Sequence, residues 1–301
     1  PAAPRAVVRR AHVQRLFDQD LIVARRKRAL AEAVPGAAFL AERVAEDLAD
    51  RLATVERRFA EAVALHCFTP HAAQAIAASG KAGRVTRIEA DAAFLGGETG
   101  LVAPPDRVPL APGSADLVVS LLSLHEADDV PGQLVQIRRA LRPDGLFLGA
   151  LAGGGTLAEL RDSLLAAETE VSGGAAPRIM PFADVREAGA LLQRAGFALP
   201  VADVDTITVR YDSMFGLLRD LRAMGATSAL AERSRRPPRR EMFRRAAELY
   251  AQRHADRDGR VRATFSIVWL SGWAPHESQQ KPLRPGSATA ALKDVLEGGG
   301  H

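Results

Sequence analysis

The sequence predicts an α/β fold, a parallel sheet covered by helices on both faces. Three observations point to it. Short apolar runs alternate with helical patterns from residue 62 to residue 171. The stretch Arg142-Pro143-Asp144-Gly145 separates a helical pattern from the next apolar run; Pro143 stops the helix and Asp144-Gly145 supplies a tight turn. The 301 residues are 47% hydrophobic and 25% charged, enough to build one large core and cover it.

In chain order, residues 13–34 place Val13, Leu16, Phe17, Leu21 and Ile22 at helical spacing, followed by Arg25, Arg26, Lys27 and Arg28. Cations suit a helix C-terminus, so this basic cluster needs no ligand to explain it. Residues 37–53 form a second amphipathic helix through Phe39, Leu40, Val44, Leu48 and Leu52. Strands follow at 62–67, 85–89, 118–122 and 146–151, with helices at 70–79, 131–141 and 157–171. A helix at 183–195, closed by Gly196, leads to a strand at 203–210, and 262–273 is a last strand rich in Phe, Ile, Val and Trp. Between those two strands, 212–260 breaks the rhythm with helices at 213–223 and 240–255, read as a helical cap inserted over a site. From 275 onward the chain is polar, with Pro and Gly, and reads as an extended tail.

Composition narrows the function classes. Forty basic residues, almost all Arg, face 36 acidic ones, a net charge of only +4. That balance does not describe a general nucleic-acid binder, which would concentrate its charge on one face. Arg in excess of Lys suits pairing with carboxylates. No apolar run approaches the ~20 residues of a membrane-spanning helix. A single cysteine, Cys67, excludes an internal disulfide and a Cys-rich zinc site, as expected in a reducing compartment. Residues 1–15 carry Arg and Ala without an acid, the composition of a transit segment or of a disordered basic extension.

Ligands of open α/β sheets bind beyond the C-terminal strand ends, which directs attention to the loops after 67, 89, 122 and 151. Glu89 ends the second strand and offers a carboxylate to the ribose hydroxyls of a nucleoside cofactor; a solvated acid at a strand end is the alternative. The loop Ala64-Leu65-His66-Cys67-Phe68-Thr69-Pro70 lacks the glycines that let such a cofactor approach the backbone. Cys67 is either a helix-terminus thiol of lowered pKa or a buried structural cysteine. His125 ends the next strand region and could act as a base or hold a substrate. Gly153-Gly154-Gly155-Thr156 permits close approach of a ligand, or simply a sharp turn. His254, Asp256 and His276 have the residue types of an iron site, but lie at a helix end and in the tail; no metal is assigned.

Several stretches resemble class I S-adenosylmethionine-dependent methyltransferases. More narrowly, the chain resembles the methyltransferase-like assembly factors of respiratory complex I, an arginine-hydroxylase family. The resemblance rests on 119–125, on Gln136-Ile137-Arg138-Arg139-Ala140-Leu141-Arg142-Pro143-Asp144-Gly145, on 177–182 and on Arg194-Ala195-Gly196-Phe197. Most specific are Asp220-Leu221-Arg222-Ala223-Met224-Gly225 and Gly272-Trp273-Ala274-Pro275-His276-Glu277-Ser278-Gln279-Gln280. It implies a Rossmann-like seven-stranded sheet whose last strand is antiparallel. The implied divisions are a helical extension at 1–53, a methyltransferase-like domain at 54–274 and a tail at 275–301.

The resemblance implies S-adenosylmethionine as cofactor, facing Ala64, His66, Phe68, Glu89 and Ser120; His125, through its place at the strand tip, is the catalytic candidate. Eukaryotic members of the family hydroxylate an arginine on an iron–sulfur subunit of complex I. The chain departs from the family where His66, Phe68 and Pro70 replace the glycine-rich loop, where an expected Asp is Pro104, and where Glu126 and Gly155 replace a Trp and an Asp. The leading expectation is a protein that modifies or chaperones a partner during complex I assembly, in a bacterial cytoplasm or a mitochondrial matrix. The alternatives are an active methyltransferase on a small or carrier-bound acid, similar to the malonyl-carrier-protein enzyme, and a non-catalytic scaffold. The catalytic readings lean on one premise, that a nucleoside-type pocket opens over the tips of the first two strands with Glu89 facing inward; the partner-handling reading can outlive its failure.

Overall fold

The computed structural model describes residues 15–279 except 175, 235 and 236. The basic stretch 1–14, the arginines at 235 and 236 and the tail from 280 lie outside the described residues. Seven strands run β1 (Phe59–Leu65), β2 (Ala82–Glu89), β3 (Gly100–Val102), β4 (Ala115–Leu121), β5 (Leu141–Ala152), β6 (Ala198–Tyr211) and β7 (Val261–Trp273). They form one sheet in the order β3-β2-β1-β4-β5-β7-β6. β1 pairs in parallel with both β2 and β4, whereas β7 is antiparallel to β5 and β6. The strand order reverses between β1 and β4, so the switch point falls where the sequence directs attention.

The helices are α1 (Gln19–Glu32), α2 (Phe39–Thr54), α3 (His71–Ala78), α4 (Val130–Ala140), α5 (Ala158–Ser172), α6 (Val185–Ala195), α7 (Met214–Ala223) and α8 (Arg240–His254). Alternate strand residues divide the core. Ala62, Leu117 and Leu146 face α2, α3, α5, α7 and α8; Val63, Val118 and Phe147 face α4 and α6. Every residue of β4 is buried, the pattern of a central strand covered on both sides. Val44, Leu48 and Leu52 of α2 are fully buried in the first cluster, each contributing roughly 1.5–3 kcal/mol. That burial makes α2 part of the core rather than an appendage.

Local chemistry sets the boundaries. α1 begins at Gln19, later than its apolar spacing suggests, because Asp18 caps it by accepting from the Leu21 amide, while Phe17 forms a β-bridge with Leu230. α6 has a reciprocal capping box between Asp184 and Glu187 and ends at Gly196 with φ 82°. Residues 142–145 turn within the irregular start of β5, where Asp144 has φ 62° and the register to β4 shifts between Ala115 and Leu117. The inserted helices divide their work. α7 and the segment after it reach the strand tips, whereas α8 packs chiefly on α5.

Candidate functional site

The β1–α3 connection turns like a glycine loop but carries side chains. His66 has φ 51° and Phe68 φ 59°, the left-handed region that glycine adopts without strain. The turn is held by the Thr69 amide donating to the Cys67 carbonyl at 2.7 Å. It aims the Phe68 amide at Glu89 Oε2, 3.0 Å away. Arg87 lies two residues before Glu89 and on the same strand face; its Nη2 donates to Glu89 Oε1 at 3.0 Å and to the Phe94 carbonyl at 2.6 Å. Glu89 is 0% exposed, and burial pushes its carboxyl up to about 7 against the pull of the Phe68 amide and Arg87.

The Phe68 ring is buried between two neighbours. Phe94 meets it edge-on at 5.3 Å, and the Arg26 guanidinium of α1 lies over it at 4.1 Å. Arg26 also donates to Glu126 Oε2 at 2.7 Å. The basic cluster on α1 therefore makes specific contacts: Arg25 donates to the Thr227 carbonyl at 2.8 Å, and Lys27 pairs with Asp91 at 2.7 Å. Arg26 and Arg87 are the site residues that sequence reasoning missed. Neither left a signal: Arg87 lies in a strand of mixed polarity and reads as a solvated charge, and the partner of Arg26 is 100 positions away.

Two hollows flank Phe68. On one side a mainly apolar cavity of about 310 Å³ is bounded by Leu30, Leu40, Met180, Leu221 and Phe265, with His125, Arg26 and Glu126 on its wall. On the other side a polar cleft of about 780 Å³ is lined by His66, Ser120, Ser123, Asp128 and Gln133. Glu89 lines neither of these two hollows.

The expected site residues thus separate. Ala64 is buried in the core cluster on the α2–α3 side of the sheet. His66 is buried, its Nε2 is 3.1 Å from the Arg107 carbonyl, and burial lowers its pKa. Ser120 faces the cleft, its hydroxyl 3.0 Å from that of Ser123. His125 stands in the apolar cavity, where its Nδ1 accepts from the Ala152 amide at 3.3 Å. That acceptance leaves the ring proton on Nε2, so the neutral imidazole is arranged to donate a hydrogen bond rather than to abstract a proton. Burial lowers its pKa to about 4.

Other candidates resolve structurally. Cys67 is buried and its thiol is pushed up to about 12, first by burial; the lowered pKa offered by the nearby helix start is overturned. A Cβ on Gly153 would meet Val268 Cγ2 at 2.6 Å, and Thr156 Oγ1 donates to the Ser266 carbonyl at 2.9 Å. Gly153 and Gly155 therefore permit close packing on β7. Asp256 pairs with Arg210 at 2.8 Å and Arg262 at 3.0 Å, His254 meets the Tyr250 ring edge-on, and His276 bonds Ser278 at 2.6 Å. Among the described residues no three His, Cys, Asp or Glu are grouped to hold a metal ion.

The methyltransferase-domain family matches residues 56–149. The chain is 38% identical to the mitochondrial arginine-hydroxylase NDUFAF5 of Homo sapiens over 288 residues, 93% of this chain and 83% of that protein. It is 34% identical to the malonyl-[acyl-carrier protein] O-methyltransferase of Laribacter hongkongensis, over 71% of this chain and 66% of that one. Its fold is similar to that of the YcgJ protein of Bacillus subtilis, with a TM-score of 0.52 at 14% identity, covering 77% of this chain and 99% of that one.

The domain match and the fold support S-adenosylmethionine as the cofactor class for this architecture. The residues at the strand tips do not fit it in the seat expected from sequence, because Glu89 faces inward to protein donors and Phe68 and His66 fill the turn.

Proposed function

The chain belongs to the arginine-hydroxylase NDUFAF5 family, and on that footing we propose that it acts on a protein partner during the assembly of respiratory complex I. The carrying observation is the extent of the likeness, which spans 93% of this chain and so takes in the sheet and the helices that wall the cavity. The partner we propose is an iron–sulfur subunit of complex I, met in a bacterial cytoplasm or a mitochondrial matrix. No helix among the described residues is long and apolar enough to cross a membrane.

The apolar cavity supports this reading. It lies at the switch point and is roofed by α1, α2 and α7, with one neutral imidazole donor and one Arg–Glu pair on its wall. Such a site accepts a largely apolar segment and orients one acceptor oxygen through His125 Nε2. Ala64, His66, Phe68, Glu89 and Ser120 act in this proposal as the frame of the strand tips. Methyl transfer to a carrier-bound acid has the partial likeness to the malonyl enzyme and no structural observation that favours it.

Capture of the tagged chain after crosslinking in cells, followed by intact-mass measurement of the captured subunit, tests the proposal. A complex I subunit one oxygen heavier only when the protein is present identifies hydroxylation. One methylene heavier identifies methyl transfer, and capture at unchanged mass identifies chaperoning. Capture without any complex I subunit contradicts the reading.

A further inference from the structure

We infer that the nucleoside seat over β1 and β2 is closed by the protein's own groups, so that this chain does not hold S-adenosylmethionine at Glu89. The inference is independent of the partner reading.

Three observations converge. A ribose diol is recognised by a carboxylate with both oxygens available. Here Oε2 accepts the Phe68 amide at 3.0 Å and Oε1 accepts Arg87 Nη2 at 3.0 Å, in a group with no exposed surface. Each oxygen already accepts one protein donor, and burial keeps a ribose from reaching the remaining lone pairs. Arg87 is itself held from behind by the Phe94 carbonyl at 2.6 Å and by Glu98 at 3.0 Å. Withdrawing it would strand a buried cation.

The second observation is the turn. His66 and Phe68 keep left-handed backbone angles while presenting bulky side chains where a glycine loop presents none. The path of a cofactor-binding loop has been kept, with the Phe68 side chain set between two hollows, neither of which reaches Glu89.

The third is the clamp. Phe68 is fixed by Phe94 at 5.3 Å on one side and by Arg26 at 4.1 Å on the other, and Arg26 is anchored on Glu126 at 2.7 Å. Opening the seat therefore requires the ring, the Arg87 contact and the α1 contact to move together. A ligand must supply all of that difference from its own binding energy.

The experiment is equilibrium dialysis of the full chain with S-adenosylmethionine and with S-adenosylhomocysteine. It compares the wild type, Phe68→Gly and the double variant Phe68→Gly with Arg87→Thr, each shown to fold by its thermal transition. The wild type binds neither ligand at millimolar concentration, and the opened variants bind at least about a hundredfold more tightly. Adding Glu89→Gln to the opened variants abolishes that binding. Micromolar binding by the wild type that is lost in Glu89→Gln overturns the inference. Failure of folded, opened variants to bind overturns it too, because the named groups are then not what closes the seat. Hydrogen exchange at the Phe68 amide of the wild type reads the same contact without any variant: protection unchanged by millimolar S-adenosylmethionine supports closure, and altered protection overturns it.

Discussion

The Phe68 amide donates to the Glu89 carboxylate at 3.0 Å, and this one bond joins the β1 turn to the end of β2 across the switch point of the sheet. The acid is placed as a ribose-binding acid would be, but its partners are protein groups. A loop shaped for a ligand is thereby turned into internal packing.

Burial of that acid makes stability depend on pH in a defined direction. Burial raises the Glu89 carboxyl from 4.5 to about 7 in the folded state. Between those values the folded protein retains a proton that the unfolded chain has released, so the Glu89 contribution weakens stability as pH rises through the window. Glu89→Gln removes this slope, on the order of 1–3 kcal/mol across the window. Urea midpoints of both proteins at about pH 5 and pH 8 measure it; parallel profiles contradict the burial argument.

His125 acts with the opposite sign. Its pKa falls from 6.5 to about 4, so below 6.5 the unfolded chain takes up a proton that the folded ring refuses. Stability from this group is full above about 6.5 and declines as the pH falls toward 4. Nitrogen-15 NMR of the imidazole is expected to show a neutral ring, protonated at Nε2, between about pH 8 and pH 5. A titration midpoint near its ordinary value would remove the buried-donor role.

Cys67 is expected to be inert in the native protein. Its buried thiol, pushed up to about 12, reacts with a water-soluble disulfide reagent at pH 8 on the order of a thousandfold more slowly than in the unfolded chain. Comparable rates in the two states would show that the β1 tip is open.

Gly225→Ala should loosen the roof of the cavity. Gly225 has φ 71°, and an added Cβ would meet Arg26 Cα at 2.9 Å and Arg26 N at 3.0 Å. Neither backbone atom can yield without shifting α1, and Arg26 with it. We expect a loss of about 1–3 kcal/mol and faster exchange of the Phe68 amide than in the wild type. Unchanged exchange would show that α1 does not clamp Phe68.

Much of this architecture could be read in the residues. The apolar spacing of Val44, Leu48 and Leu52 announced α2, the run at 118–122 announced β4, and the strand–helix alternation announced a sheet covered on both faces. β3 escaped because it has three residues, two of them exposed, too few for any periodicity. At the site, the bulk of His66 and Phe68 was evident as a departure from glycine. That the Phe68 ring folds back under Arg26 was not, because the contact depends on α1 docking beside Gly225. The partners of Glu89 were hidden for a related reason: a backbone amide leaves no mark in a sequence, and Arg87 read alone resembles a solvated charge.

The most direct test of the account is the amount of assembled complex I, measured by native gel electrophoresis and in-gel activity, in cells with and without this gene. The account predicts that assembled complex I falls without the protein, that subassemblies accumulate, and that re-expression of the full chain restores the complex. An undiminished amount of active complex I in the deletion strain would contradict it.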